Sequence, residues 1–335
     1  MGDTKPSSAE GGGQLRLQAH KASGITTRSE RKKRFRFSGT GALYWMALPG
    51  ILFFLIFHYL PMLGVIIAFK NYNFADGIFG SPWAGFDNFE FFFTSPDLFR
   101  VTYNTLFLNV LFIGIGTFVS VLTAILLSEI RSRIAARTFQ TFIFFPYFIS
   151  WIVVSLFLGT FLATDKGIIN HLLAALGFAK VEFMSRPGLW PAILVIVHLW
   201  KSTGYGVVIY LAAITGINPE YYEAARIDGA NRLQQVTRIL LPQLRPTILV
   251  LLILAVGRIF YGDFGMIYAL VGDNGQLYST TDVIDTYVFR SMRTFGDMGM
   301  TSAIGLYQSL MGFIMIVAAN WVSKKLSDED KGVLY

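Results

Sequence analysis

The sequence predicts an all-α polytopic membrane protein with six transmembrane helices, and three observations predict it. Hydrophobic residues make up 53% of the 335 and charged residues 15%, with a mean hydropathy of +0.52. A soluble domain would be nearer roughly half apolar and a quarter charged. The excess falls in blocks, several of which reach the ~20 residues that cross a bilayer core as a helix. Lys and Arg gather at the N-terminus and in alternate loops, the pattern that orients membrane helices. That placement gives the net charge of +7 a topological meaning and argues against nucleic acid as a partner. There is no cysteine, so disulfides and thiol chemistry are excluded, and four scattered His argue against a metal centre.

Residues 1–38 are polar, rich in Gly and Ser, and end in the run Arg31-Lys32-Lys33-Arg34-Phe35-Arg36. They are expected to form a disordered cytoplasmic tail with a basic anchor beside the membrane. The apolar segment that follows is too long for a cleavable signal. A transmembrane domain is expected over 39–325, with a short cytoplasmic tail at 326–335. Its spans are predicted at about 43–69, punctuated by Pro49 and Pro61, then 106–127, 139–162, 190–214, 248–270 and 301–322. The basic loops hold Arg131, Arg133 and Arg137, then Arg226, Arg232 and Arg238, then Lys324 and Lys325. The alternate loops 71–100, 165–188 and 271–297 carry many of the Asp and Glu. Both termini are therefore expected in the cytoplasm, in agreement with an even number of spans. The outer loops are too short to be a receptor domain, so selective capture outside the cell falls to another protein.

A polar insert, expected as a cytoplasmic loop over 216–246, separates the fourth and fifth spans. Asn218 is a good N-cap and Pro219 suits the first helical position. Glu220 and Glu223 sit where carboxylates favour the positive end of a helix. A short helix is predicted to run to Gly229, which can adopt the backbone angles that end it. A second is predicted from near Asn231 to just before Pro242. Tyr221, Ala224, Ala225 and Ile227 give the first helix an apolar, partly small side suited to close docking.

Glu223-Ala224-Ala225, three residues, Gly229, nine residues, Ile239, one residue and Leu241-Pro242 resembles at every position the EAA signature of binding-protein-dependent ABC permeases. The resemblance implies the type I ABC importer permease fold in a bacterial inner membrane. It implies that Glu223, Ala224, Ala225, Gly229, Ile239, Leu241 and Pro242 belong to a coupling loop that seats on an ATP-binding subunit. No G-x-x-x-x-G-K-[ST] loop occurs, so this chain is expected to bind no cofactor and to carry no catalytic residue. ATP and Mg would then be handled by two partner ATP-binding subunits. The other expected partners are a second, paralogous permease subunit, an extracytoplasmic solute-binding protein and membrane lipid.

Phe57-His58-Tyr59-Leu60-Pro61, Ala68-Phe69-Lys70, Asp282-Val283-Ile284-Asp285-Thr286-Tyr287-Val288 and Ala303-Ile304-Gly305-Leu306-Tyr307-Gln308 look like the subgroup importing oligosaccharides such as plant-polymer or alginate fragments. Carbohydrate is thus the expected cargo, with a non-sugar solute (amino acid, peptide or ion) as the alternative for the same machinery. In maltose-type relatives the helices before and after the EAA loop meet the substrate. The stretches carried over are His198, Trp200, Ser202 and Tyr205, then Arg258, Tyr261 and Gly262. Intramembrane polar groups are costly and take pathway or pairing roles. Trp200 and Tyr205 either face sugar or pack between helices. His198 reads first as a structural hydrogen-bonder, and Arg258 as a partner of Asp263 about one turn away. Asn104, Asn109, Glu129 and Arg131 lie near the ends of the second span and are left out of the site.

Overall fold

The computed structural model describes residues 39–326, with the side chains of 39–42, 91, 92, 323, 325 and 326 left aside. The expected tails at 1–38 and beyond 326 lie outside that range. The chain divides into one unit ending at Leu55 and a second from Ile56 onward. Among the described residues the regular elements are helical, apart from one isolated bridge between Lys70 and Trp83.

Helix α1 (Gly39–Phe54) is the described part of the first unit. The helical run continues through a π turn at Leu55–Tyr59 and a 3₁₀ segment at Leu63–Phe69. The apolar stretch Leu43–Phe69 is long enough to cross a membrane and coincides with the first predicted span.

In the second unit, α2 (Asp97–Ser128), α5 (Trp190–Thr215) and α10 (Met298–Leu326) are long apolar helices. They agree with the second, fourth and sixth spans, although α2 starts about two and a half turns earlier than predicted. α2 and α5 share two buried clusters. One joins Leu108 and Phe112 to Trp190 and Leu194, and the other joins Val121 and Ile125 to Val207 and Ile214.

Two predicted spans are corrected. The third is not one helix: α3 (Arg133–Phe144) passes into a 3₁₀ turn at Phe145–Phe148, then α4 (Trp151–Leu162) leaves at 96°. Pro146 withholds a ladder donor. Ile149 and Ser150 are extended, and the Ser150 hydroxyl starts α4 by accepting from the Val153 N–H at 3.4 Å. Counting the bent pair as one span gives the expected six; counted singly, five helices qualify.

The fifth span is also displaced. After α6 (Glu220–Ile227), one helix, α7, runs over Arg232–Val256. The predicted stop before Pro242 does not occur. A π turn at Val236–Leu240 shifts the hydrogen-bonding register, and Pro242 falls at the start of the following α segment, where its missing N–H is harmless. The membrane helix then ends at Val256. Residues 257–260 form turns, 261–263 are irregular, and α8 (Phe264–Val271) follows. An amphipathic helix, α9 (Ile284–Phe295), precedes α10.

Candidate functional site

The predicted site residues occupy two regions. The first is the insert. The Asn218 carboxamide oxygen accepts from the Glu220 N–H at 3.1 Å and opens α6. Gly229 has φ +80, and the Ala230 N–H reaches back to the Ala225 carbonyl at 2.8 Å, which closes the helix end. Asn231 and Gln234 exchange two hydrogen bonds, at 2.8 and 2.9 Å, that start α7. The helix, glycine bend and helix start are thus each fixed by bonds between near neighbours.

Glu223, Ala224, Gly229 and Pro242 are exposed, whereas Ala225, Ile239 and Leu241 are half-buried. Ile227 is 87% exposed, Leu233 72% and Tyr221 56%. Three large apolar side chains on a stiff loop expect a covering surface.

The second region surrounds the break between α7 and α8. Asn109 of α2 donates to the carbonyls of Ile259 and Tyr261, both at 3.0 Å. Gln308 of α10 donates to the Phe260 carbonyl at 3.0 Å and to Asp285 at 3.2 Å. The Asp285 carboxylate accepts from the Gly262 N–H. Side chains from three elements therefore satisfy the backbone freed by the break, as apolar surroundings require. Gly262 allows the close approach: a Cβ there would lie 2.7 Å from Val283 and 3.1 Å from Asp285. Asp263 accepts from the Met266 N–H at 3.0 Å and caps α8.

Beside this break, His198, Ser202 and Tyr205 of α5 line a cavity of about 330 Å³ with Asn109, Ser120 and Asp263. The Tyr205 ring is half-exposed and stacked on Tyr147 at 5.3 Å. Lys201 is buried and donates to the Tyr147 carbonyl at 2.7 Å, holding the broken third span against α5. The Tyr261 hydroxyl hydrogen-bonds Ser309 at 2.8 Å.

Two expectations are corrected, those for His198 and Arg258. His198 is not a structural hydrogen-bonder through Nδ1, which is buried without a partner; its ring stacks on Phe112 at 4.4 Å. Trp200 lines a separate apolar cavity with Phe157 and Phe161, apart from His198, Ser202 and Tyr205. Arg258 does not pair with Asp263: the arginine is exposed, and Asp263 serves as a helix cap.

The residues that shape the break escaped the sequence reading. Asn109 lies near the end of a predicted span and outside the expected site, and Asp285 and Gln308 stand out only through the subgroup resemblance. A carboxamide within an apolar run is the usable signal, since such a group must have a partner.

Residues 113–328 match the family described as the binding-protein-dependent transport system inner membrane component. Protein LplB of Bacillus subtilis (strain 168) is 40% identical over 86% of this chain and 90% of its own. The polygalacturonan/rhamnogalacturonan transport system permease protein YteP of the same strain is 35% identical over 93% of this chain and 97% of its own. Among solved structures, a chain of a bacterial alginate ABC transporter in complex with an alginate pentasaccharide-bound periplasmic protein is 35% identical. It superposes with a TM-score of 0.78 over 86% of this chain and 95% of that one.

Proposed function

Because the chain belongs to the family of binding-protein-dependent transport system inner membrane components, we propose that it carries oligosaccharides, with acidic plant-polymer or alginate fragments as the leading class. It is a multi-pass inner-membrane permease subunit of an ABC importer and not itself an enzyme. The cargo class rests on relatives whose names specify polygalacturonan/rhamnogalacturonan and alginate. The His198, Ser202 and Tyr205 cavity suits a sugar, since an aromatic face covers C–H surface while hydroxyls and carboxamides meet the ring hydroxyls.

In this reading two ATP-binding subunits hold ATP and Mg, a paralogous permease shares the pore, and a solute-binding protein delivers cargo from outside. Glu223, Ala224, Ala225, Gly229, Ile239, Leu241 and Pro242 form the coupling loop. ATP closes the nucleotide-binding subunits, the docked loop moves with them, and the permease turns outward; hydrolysis resets it. Both termini are cytoplasmic. The observation that carries the coupling assignment is the exposed apolar face of Tyr221, Ile227 and Leu233 on a loop stiffened by its own caps.

The test uses the whole importer in proteoliposomes with its binding protein. Saturated uronate oligosaccharides should raise ATP hydrolysis several-fold and be taken up, whereas free amino acids should do neither. Failure of every oligosaccharide, with another solute active, would remove the cargo assignment. Single cysteines at 87 and 230 on the cysteine-free background test orientation separately, since an impermeant thiol reagent added outside should label 87 alone.

A further inference from the structure

A cavity of about 460 Å³ lies between the end of α2 and the insert, lined among others by Glu129, Arg131, Tyr222, Arg226 and Arg232. Three arginines and one glutamate therefore line it. Glu129 engages Arg232 at 3.3 Å, and among the described residues Arg131 and Arg226 have no ion pair. The Tyr222 hydroxyl is closed off from water without a hydrogen-bond partner, a position that costs free energy until an acceptor arrives. Burial and the Glu129 charge hold that phenol above its ordinary range, so it remains a neutral donor.

We propose that this cavity binds a phosphate-ester anion, with Arg131 and Arg226 as its charged contacts and the Tyr222 hydroxyl as an additional donor. Guanidinium forks match phosphate oxygens in geometry as well as charge. Basic pockets between helices at the cytoplasmic interface suit the headgroups of anionic lipids. A free phosphorylated molecule would present the same group. A bound anion would neutralise the surplus cations and satisfy Tyr222. It would also tie the insert to the cytoplasmic end of α2, the helix whose Asn109 holds the membrane break. The proposal rests on the cytoplasmic placing of the insert given above, which the thiol labelling checks independently.

The test titrates the delipidated, detergent-purified whole importer with inorganic phosphate and, separately, with short-chain phosphatidylglycerol below its micelle concentration. Thermal unfolding and ATP hydrolysis are followed. A saturable upward shift in the melting temperature is expected, with at least tenfold weaker apparent affinity in Arg131→Gln/Arg226→Gln. Arg131→Lys/Arg226→Lys should retain part of the response, and Arg186→Gln, in an outer loop, should retain all of it. Response to phosphatidylglycerol alone assigns the site to a lipid headgroup, and response to both assigns it to any phosphate ester. No response to either, or an undiminished response in Arg131→Gln/Arg226→Gln, overturns the proposal. If that variant fails to assemble, phosphate-protected modification of Arg226 by an arginine-specific reagent in the wild-type complex decides the matter: no protection overturns it.

Discussion

The insert around Gly229 and the break at 257–263 both interrupt helix, yet they are held by different kinds of bond. In the insert every defining contact is local. Asn218 meets Glu220, Ala230 meets Ala225 and Asn231 meets Gln234. In the break the defining contacts come from far along the chain, from Asn109, Asp285 and Gln308. The bend is set by its own neighbours, while α7 and the Glu129–Arg232 pair carry any movement of the insert into the bundle. A break built from three separate elements reports any shift among them. That division suits a machine in which one region receives a push and the other registers it.

The largest expected effect comes from attacking the break. In Asn109→Ala/Gln308→Ala the carbonyls of Ile259, Phe260 and Tyr261 lose their side-chain donors. Each buried acceptor left without a partner costs about 1–3 kcal/mol. The double variant should lose most of its folded yield, read as fluorescence-detected size-exclusion recovery from membranes. Gly262→Val should do the same by overpacking against Val283. Wild-type yield in both would mean that the break needs none of this support.

Gly229→Val should separate the two regions. At φ +80 a β-branched residue is strained by about 1–3 kcal/mol, while a Cβ there meets nothing within 4 Å. The cost is therefore confined to the bend. The permease should fold and insert, but substrate-stimulated ATP hydrolysis and uptake should fall together. Gly229→Asn, which tolerates left-handed backbone, should stay near wild type. An intact Gly229→Val complex with normal stimulation would undo the coupling assignment.

The same contrast explains what could be read from the sequence. Cap, proline and glycine chemistry acts within a few residues, so the helix–bend–helix insert was legible, and apolar length located most of the spans. Pro242 misled because a proline normally ends a helix, and the π turn that accommodates it has no simple local signature. The sharp bend before α4 joins the local signals of Pro146 and Ser150 to a contact no local rule names, Lys201 donating to the Tyr147 carbonyl from another helix. The early end of the fifth span depends on donors more than a hundred residues away in the case of Asn109. Asp282, part of a motif in the sequence, is buried and bonded to Arg290 at 2.7 Å and Arg100 at 3.1 Å. Long-range pairing of this kind leaves polar residues visible in the sequence but does not name their partners.

An intermediate effect is expected at Tyr205, which lines the cavity beside the break, and at Tyr261 of the break itself. Tyr205→Ala removes a half-exposed aromatic face, and Tyr261→Ala removes the partner of Ser309. Neither change strips the break of its donors. Assembly should hold, while apparent affinity for the transported oligosaccharide weakens by about tenfold, or 1–2 kcal/mol. Concentration dependence of uptake in proteoliposomes measures this; unchanged kinetics in Tyr205→Ala would take the cavity out of the pathway, and unchanged kinetics in Tyr261→Ala would remove Tyr261.

The smallest effect is expected at Arg258, where two physical accounts give opposite signs in a double variant. Were Arg258 and Asp263 a buried pair, either single change would strand a charge and cost several kcal/mol. The double change would then recover. In the structure Arg258 is exposed and Asp263 binds the Met266 N–H instead. Arg258→Ala should therefore alter stability by no more than about 0.5 kcal/mol, as for other surface positions. Asp263→Ala should cost about 1 kcal/mol through loss of the α8 cap. With no shared partner, the two losses should add, and Arg258→Ala/Asp263→Ala should melt no higher than Asp263→Ala alone. Recovery of the double variant above that single would restore the ion pair. It would also make this end of the break electrostatic, whereas the contacts seen here make it a matter of backbone hydrogen bonding.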